Sequence, residues 1–321
     1  MILGSAAILF NVLSIMTISV LMVMAAWILF LKLKPKGFNQ YSLSSQRQLL
    51  WLVVLSPWCV GLLSAAVVIF PGSQYFPFPP AYELLHWHHV EEFSFKNWHG
   101  LSIMLAIFSI FLVFGRKIYH LSLGKRQLKL LYAFADQDDN GVYQLDADAA
   151  TAFTAGYFKP RFFITSTLRQ QLSNEEYAVV RLHENEHIRC FDPLKKACYQ
   201  LLAAFYPRSI ARQLNSSMAL VMELGADSAV SRIITDKSFI ALTMIKVRRL
   251  ADRSLDSCLS NNVLCHYGVD AIEARINYLL TKQDNKIFPF YTIIFTATLM
   301  MMSCAFFADF FHHFIEYTLS H

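Results

Sequence analysis

Residues 173–192 read S-N-E-E-Y-A-V-V-R-L-H-E-N-E-H-I-R-C-F-D. Ser173, followed three residues later by Glu176, fits a capping box and predicts a helix starting here. On that helix His183 and His187 lie four apart, so they share one face about one turn from each other. Two imidazoles so spaced can hold one tetrahedral zinc ion, and Glu184 beside the first can reach a water in the open position. Zinc brings the pKa of such a water towards about 7, so the carboxylate can take its proton and hand it to a leaving amine.

A second acidic motif follows. Residues 221–230 read V-M-E-L-G-A-D-S-A-V, and a helix is expected from about Ser216 to Ile234. Glu223 supplies a third, anionic ligand, and Asp227 one turn on can accept the free N–H of a ligand histidine and fix its tautomer. Leu224, Gly225 and Ala226 are small or apolar, as close packing against the first helix requires. Between the two motifs, Ala197 to Tyr206 is apolar but too short to span a bilayer, which leaves it to pack in the core or to dip into the membrane interface.

Upstream, the D-D-N-G of residues 138–141 marks a turn ahead of a strand-like G-V-Y-Q-L-D, and Phe158 to Thr165 reads as another strand. Asp136, Asp138, Asn140 and Gly141 mimic half of a calcium loop, but Ala147 stands where a bidentate Glu belongs, so a hairpin turn is expected. The segment is therefore a mixed α+β unit.

Its surroundings are apolar. Of the 321 residues 55% are hydrophobic and only 16% are charged, too greasy a balance for an ordinary soluble domain. Four stretches can cross hydrocarbon as helices: about Ala6 to Leu31, Leu49 to Phe70, Leu101 to Phe114 with its flanks, and Phe288 to Phe307. Arg116 and Lys117 truncate the third. No basic residue precedes the first, its apolar core is too long for a secretory signal and no small-residue cleavage site follows, so it is read as a retained anchor.

The six cysteines, Cys59, Cys190, Cys198, Cys258, Cys265 and Cys304, form no CxxC pair and are read as free thiols. Lys96 is the single one of 28 Lys and Arg residues in the segments placed outside. This bias sets both termini outside and the Arg116 to Lys286 segment in the cytoplasm. The net charge of +5 then reports membrane orientation, and no nucleic-acid partner is inferred from it. Seven histidines (His86, His88, His89, His99, His312, His313 and His321) fall on the outer side. With Glu91 and Glu92 they could sense a metal or low pH, or they belong to an amphipathic segment in which Trp87 and Phe93 lie at the interface.

Taken together, T-A-G-Y-F-K-P-R-F-F-I-T (154–165), L-S-N-E-E (172–176), H-E-N-E-H-I-R-C-F-D-P-L (183–194) and E-L-G-A-D (223–227) resemble the BlaR/MecR-type integral-membrane antirepressor zinc metallopeptidases, which are gluzincins. The resemblance covers nearly the whole chain. It implies an α-helical membrane protein with four transmembrane helices and a cytoplasmic α+β gluzincin metallopeptidase domain between the third and fourth. Three spans would occupy residues 1–120, the peptidase domain 121–286, and the fourth span with a short outer tail 287–321. One zinc ion would be held by His183, His187 and Glu223 with Glu184 as base, and Asp192 and Asp227 match the acidic positions after each motif.

Phe158 to Thr165 would be the edge on which an extended substrate adds as a strand, or it is an ordinary strand of the sheet. Cys265-His-Tyr-Gly and the Arg-Ile pair at 275–276 are similar to late motifs of related membrane gluzincins, so His266 or Tyr267 could steady an oxyanion, or His266 is structural. Glu186 departs from the family, standing where a neutral residue is usual. No sensor domain is expected after the fourth span, so a β-lactam receptor function is not implied.

The expected activity is a zinc endopeptidase of the bacterial inner membrane that cuts a cytoplasmic protein, such as a winged-helix repressor, in response to a signal. The bilayer is a second partner, and a homodimer is open to the chain. Two alternatives stand: a membrane quality-control or processing protease of HtpX/CAAX type, and a catalytically silent receptor or scaffold that keeps the fold.

Overall fold

A computed structural model describes residues 2–33, 41–69, 92–93, 98–138, 141–256, 264–281, 286–287 and five single positions after them. Helices dominate. Among the described residues, three are long and apolar enough to cross a membrane, over Ser5–Lys32, Leu43–Ala66 and Ile103–Phe134. The fourth apolar stretch, Phe288 to Phe307, lies outside the described residues apart from isolated positions, as do the outer histidines other than His99.

Helices α1 (Ser5–Leu33) and α2 (Leu43–Ile69) pack as a hairpin. Gly61 allows the close approach, because a Cβ there would sit 2.9 Å from the Val20 side chain and 3.1 Å from the Met16 carbonyl. The Trp27 indole N–H donates to the Ser56 hydroxyl at 2.7 Å and spans the pair. Ile2–Leu3 (β1) pairs antiparallel with Glu92–Phe93 (β2). Helix α3 (Trp98–Phe134) runs unbroken past Arg116 and Lys117, so the boundary drawn at residue 120 falls inside it. Charged residues mark where a helix can leave hydrocarbon; they do not end it. Its large apolar side chains, Leu105, Phe108 and Phe111 among them, are exposed.

A four-stranded sheet follows, ordered β3-β4-β6-β5: Ala135–Gln137, Tyr143–Leu145, Arg161–Thr165 and Ala152–Ala155. The half calcium loop is a hairpin turn, with the Gly141 N–H donating to the Asp138 carbonyl at 2.8 Å. The strand near Phe158 to Thr165 is β6, and it is interior. It pairs with β4 on one side and β5 on the other, and Phe162, Phe163, Ile164 and Thr165 are all buried. A strand buried on both faces reads as a continuous apolar run; among the described residues the sheet's two edges are β3 and β5, and β5 is the one beside the helix of the first motif. Gly156 makes the β5–β6 turn at φ +107, where a Cβ would meet the Lys159 carbonyl at 2.7 Å.

After α4 (Ser166–Gln171), helix α5 (Asn174–Arg189) carries the first motif. The capping box forms: the Glu176 N–H donates to the Ser173 hydroxyl at 3.1 Å and the Ser173 N–H to the Glu176 carboxylate at 2.8 Å. Lys246 also binds that carboxylate, at 2.6 Å, and draws its pKa down. On one flank Val180 joins the sheet core of Phe162, Ile164 and Leu168; on the other Val179 meets Val230 and Ile240.

Helix α6 (Asp192–Ala203) starts beyond a left-handed Phe191, and α7 (Arg208–Val230) begins eight residues before the expected Ser216. Pro207, ahead of its first turn, and the buried row Ile210, Leu214 and Met218 explain the longer helix. Helices α8 (Lys237–Asp256) and α9 (Leu264–Leu280) close the unit. An extensive buried cluster joins α6 and α7 to the apolar hairpin: Tyr199, Tyr206, Ile210, Leu214 and Met218 pack with Val20, Met24, Leu50, Val53 and Val54. The helix that carries Glu223 is therefore seated directly on α2, with α1 in the same buried cluster.

Candidate metal centre

Helices α5 and α7 cross so that His183, His187 and Glu223 meet, with one ligand atom from each within 4.8 Å of the others. The Nε2 atoms of the two histidines are 3.2 Å apart. Glu223 brings one carboxylate oxygen to 3.3 Å from His183 Nε2 and the other to 3.6 Å from His187 Nε2. A metal ion bound at 2.0–2.1 Å in tetrahedral geometry separates its ligand atoms by about 3.3 Å, close to the spacing of the two Nε2 atoms and of His183 Nε2 from one Glu223 oxygen.

The far side of each ring fixes which nitrogen faces inward. His183 Nδ1 lies 2.9 Å from Asp227 Oδ1, and His187 Nδ1 lies 2.7 Å from Asp192 Oδ2. A carboxylate can only accept, so both Nδ1 atoms carry the hydrogen and donate it. Neutral rings held this way aim two Nε2 lone pairs at each other across 3.2 Å. A cation between them, or a proton on one, relieves the repulsion. With the side chains as they stand a proton does so: burial opposes charge on His183, but hydrogen bonds to Asp227 and Glu223 outweigh it and raise its pKa to about 10. Burial would raise Glu223 and Asp227, yet His183 and Arg275 pull both well below the usual carboxylate range. Two nitrogens and one anionic oxygen make a group that can hold a metal ion.

Arg275 on α9 completes the cluster. Its Nε and Nη2 donate to the two oxygens of Asp227 at 2.7 and 2.8 Å, and Nη1 reaches Glu223 at 3.0 Å. Sequence reasoning gave this arginine no part in the site. Its only signal was the Arg-Ile pair, since a lone Arg some 50 residues beyond Glu223 carries no spacing rule.

Glu184 is buried and stands apart from the three-donor cluster, on the wall of the same cavity of about 720 Å³. Thr154 on β5 positions it, its hydroxyl 2.7 Å from Glu184 Oε2 and 3.1 Å from the Glu184 carbonyl. Thr154 was likewise assigned no role, although it lies in the T-A-G-Y-F run. The same wall includes Ala150 to Thr154, so the β5 edge of the sheet borders the cavity beside Glu184. Glu186, the residue out of pattern, is taken up by Arg189 at 2.6 Å and by the Cys190 thiol. His266 falls in the first turn of α9, where side chains lie outside the described residues.

No protein-family model matches the chain, and no curated protein matches it significantly.

Proposed function

We propose that the chain is a membrane-bound zinc metallopeptidase of the kind its motifs resemble, cutting a cytoplasmic protein substrate of the repressor class. The observation that carries the reading is the convergence of two Nε2 atoms and a carboxylate, each ring clamped from behind by an aspartate, on a cavity whose wall holds a third acidic group, Glu184. Structural ion-pair networks bury carboxylates with arginines, as Arg275 and Asp227 do here. They have no need to face two imidazole nitrogens towards each other.

His183, His187 and Glu223 would hold the zinc, which when bound polarises a peptide carbonyl and water as a Lewis acid. The chain's own groups do the rest. Thr154 keeps the Glu184 carboxylate at the cavity wall, where it accepts a proton from water and returns it to the amine nitrogen as the peptide bond breaks. Asp192 and Asp227 keep the imidazoles in the Nδ1–H tautomer, and Arg275 fixes the Glu223 carboxylate. The free edge of β5 offers main-chain N–H and C=O groups to an extended segment, which would lie across the cavity as an added strand. Helices α1, α2 and α3 serve as membrane spans, with the basic segments on the cytoplasmic side.

The test is paired. Glu184→Gln should keep zinc and fold while peptide-bond cleavage falls by about two to four orders of magnitude, the range for a lost general base. His187→Ala should lose the zinc itself, read by metal analysis of the purified protein. Undiminished cleavage in the first variant, or undiminished zinc in the second, would sink the assignment.

A further inference from the structure

The seating of α6 and α7 on the apolar hairpin has a depth, and that depth can be measured along the helices. Arg47 is the single charged residue of α2 and Lys32 the single one of α1, so these mark where each span leaves hydrocarbon at its inner end. From Arg47 to Trp58 is about 16 Å of helix, and from Lys32 to Val20 about 18 Å, at 1.5 Å per residue. The hydrocarbon core is about 30 Å thick, so Trp58 and Val20 lie near its middle. At that level the Phe205 ring stacks edge-on against Trp58 with centroids 4.9 Å apart. One residue on, the Tyr206 hydroxyl donates to the Val53 carbonyl at 2.7 Å. Helix α7 then climbs back, and Gly225 meets Arg47, whose Nη2 is 2.9 Å from where a Cβ would lie.

We infer that α6 and the first half of α7 form a re-entrant hairpin embedded in the bilayer beside α1 and α2, which brings the metal cluster to the inner membrane surface. The inference rests on the reading of α1 and α2 as membrane spans. Glu223 lies less than one turn from Gly225, so the cluster stands at about the level where α2 meets water.

Arg208 and Arg212 are exposed near the tip, on the face opposite Ile210, Leu214 and Met218. Charged side chains at this depth are tolerated only where they reach water or a partner. Steps of four, four, three and four residues carry their stripe through Ser216 and Ala219 to Glu223, and Ser216 and Ala219 line the metal cavity. The stripe gives the two guanidiniums a wet path upward along α7 to the cavity.

The test uses the unaltered full chain in vesicles of phosphatidylcholine doped with a phospholipid bearing a mid-chain diazirine. A chelator is present, so the outcome is independent of metal and of peptidase activity. After irradiation and digestion, lipid adducts are expected on residues 201–213 as well as on α1, α2 and α3. Replacing both arginines by leucine should raise the adduct yield on this stretch at least twofold, because the stripe then faces acyl chains instead of water. Labelled spans with an unlabelled hairpin in both proteins would overturn the insertion. No label on α1, α2 or α3 would overturn the membrane reading beneath it.

Discussion

The two sides of the metal cluster are built differently. Asp192 holds His187 from five residues away in sequence, across the left-handed turn at Phe191, and its side chain is 15% exposed. Asp227 holds His183 from another helix, is 1% exposed, and is gripped through both oxygens by Arg275 from a third. The first clamp is local and follows wherever α5 ends. The second ties α5, α7 and α9 together, so the cluster on that side is also a structural joint. Metal binding and folding should thus separate on the Asp192 side and coincide on the Asp227 side.

The largest effect is expected at Arg275. Arg275→Met keeps most of the volume but removes the guanidinium from the buried carboxylate of Asp227 and from Glu223 beside it, leaving them the charge on His183 alone. Removing one partner of a buried pair costs roughly 3–5 kcal/mol. Thermal unfolding of the chelator-treated variant should show a loss of that order, with part of it recovered on adding zinc. A change within about 0.5 kcal/mol, the scale of an ordinary surface substitution, would mean that α9 does not brace the site.

That joint is the part of the site the sequence hid. His183, Glu184, His187, Glu223 and Asp227 were legible because helix periodicity converts spacing of four into a shared face, and the capping box at Ser173 placed the helix start. Asp192 was legible through the family pattern alone. Arg275 and Thr154 were not legible, because their partners lie across the fold, where no local period applies. Fold legibility divides in the same way. Hydropathy found three helices apolar enough to cross a membrane but could not say what covers them, and the strand reading of Phe158 to Thr165 did not reveal that both faces are buried. The apolar stretch before Tyr206 was open between core and membrane interface for the same reason: its pattern says that it is covered and leaves the cover unnamed.

The next effect sharpens the comparison directly. Asp227→Ala should weaken zinc by about 10- to 100-fold, as lost partners of ligand histidines do, and should also lower the melting temperature of the metal-free protein. Asp192→Ala should weaken zinc towards the lower end of that range and leave the metal-free melting temperature in place. Zinc titration and thermal unfolding of both variants read the two quantities. Equal destabilisation by the two would erase the distinction between a local clamp and a joint.

The last effect is a proton. His183 keeps its charge far above the ordinary range, up to about 10, because Asp227 and Glu223 outweigh its burial. Its folded pKa is raised above the unfolded value near 6.5, so the stability it lends is fully present below that value and is lost as pH rises through about 10. Zinc needs the Nε2 lone pair, so uptake at pH 7 must expel this proton. Calorimetry in buffers of differing ionisation enthalpy should report about one proton released from His183 per zinc bound. In chelator-treated protein the melting temperature should fall between pH 7 and pH 10. In zinc-loaded protein this fall should be missing, since the proton has already gone. Zinc uptake with no proton released at pH 7 would show that Asp227 holds a neutral ring, and that the joint acts through orientation alone.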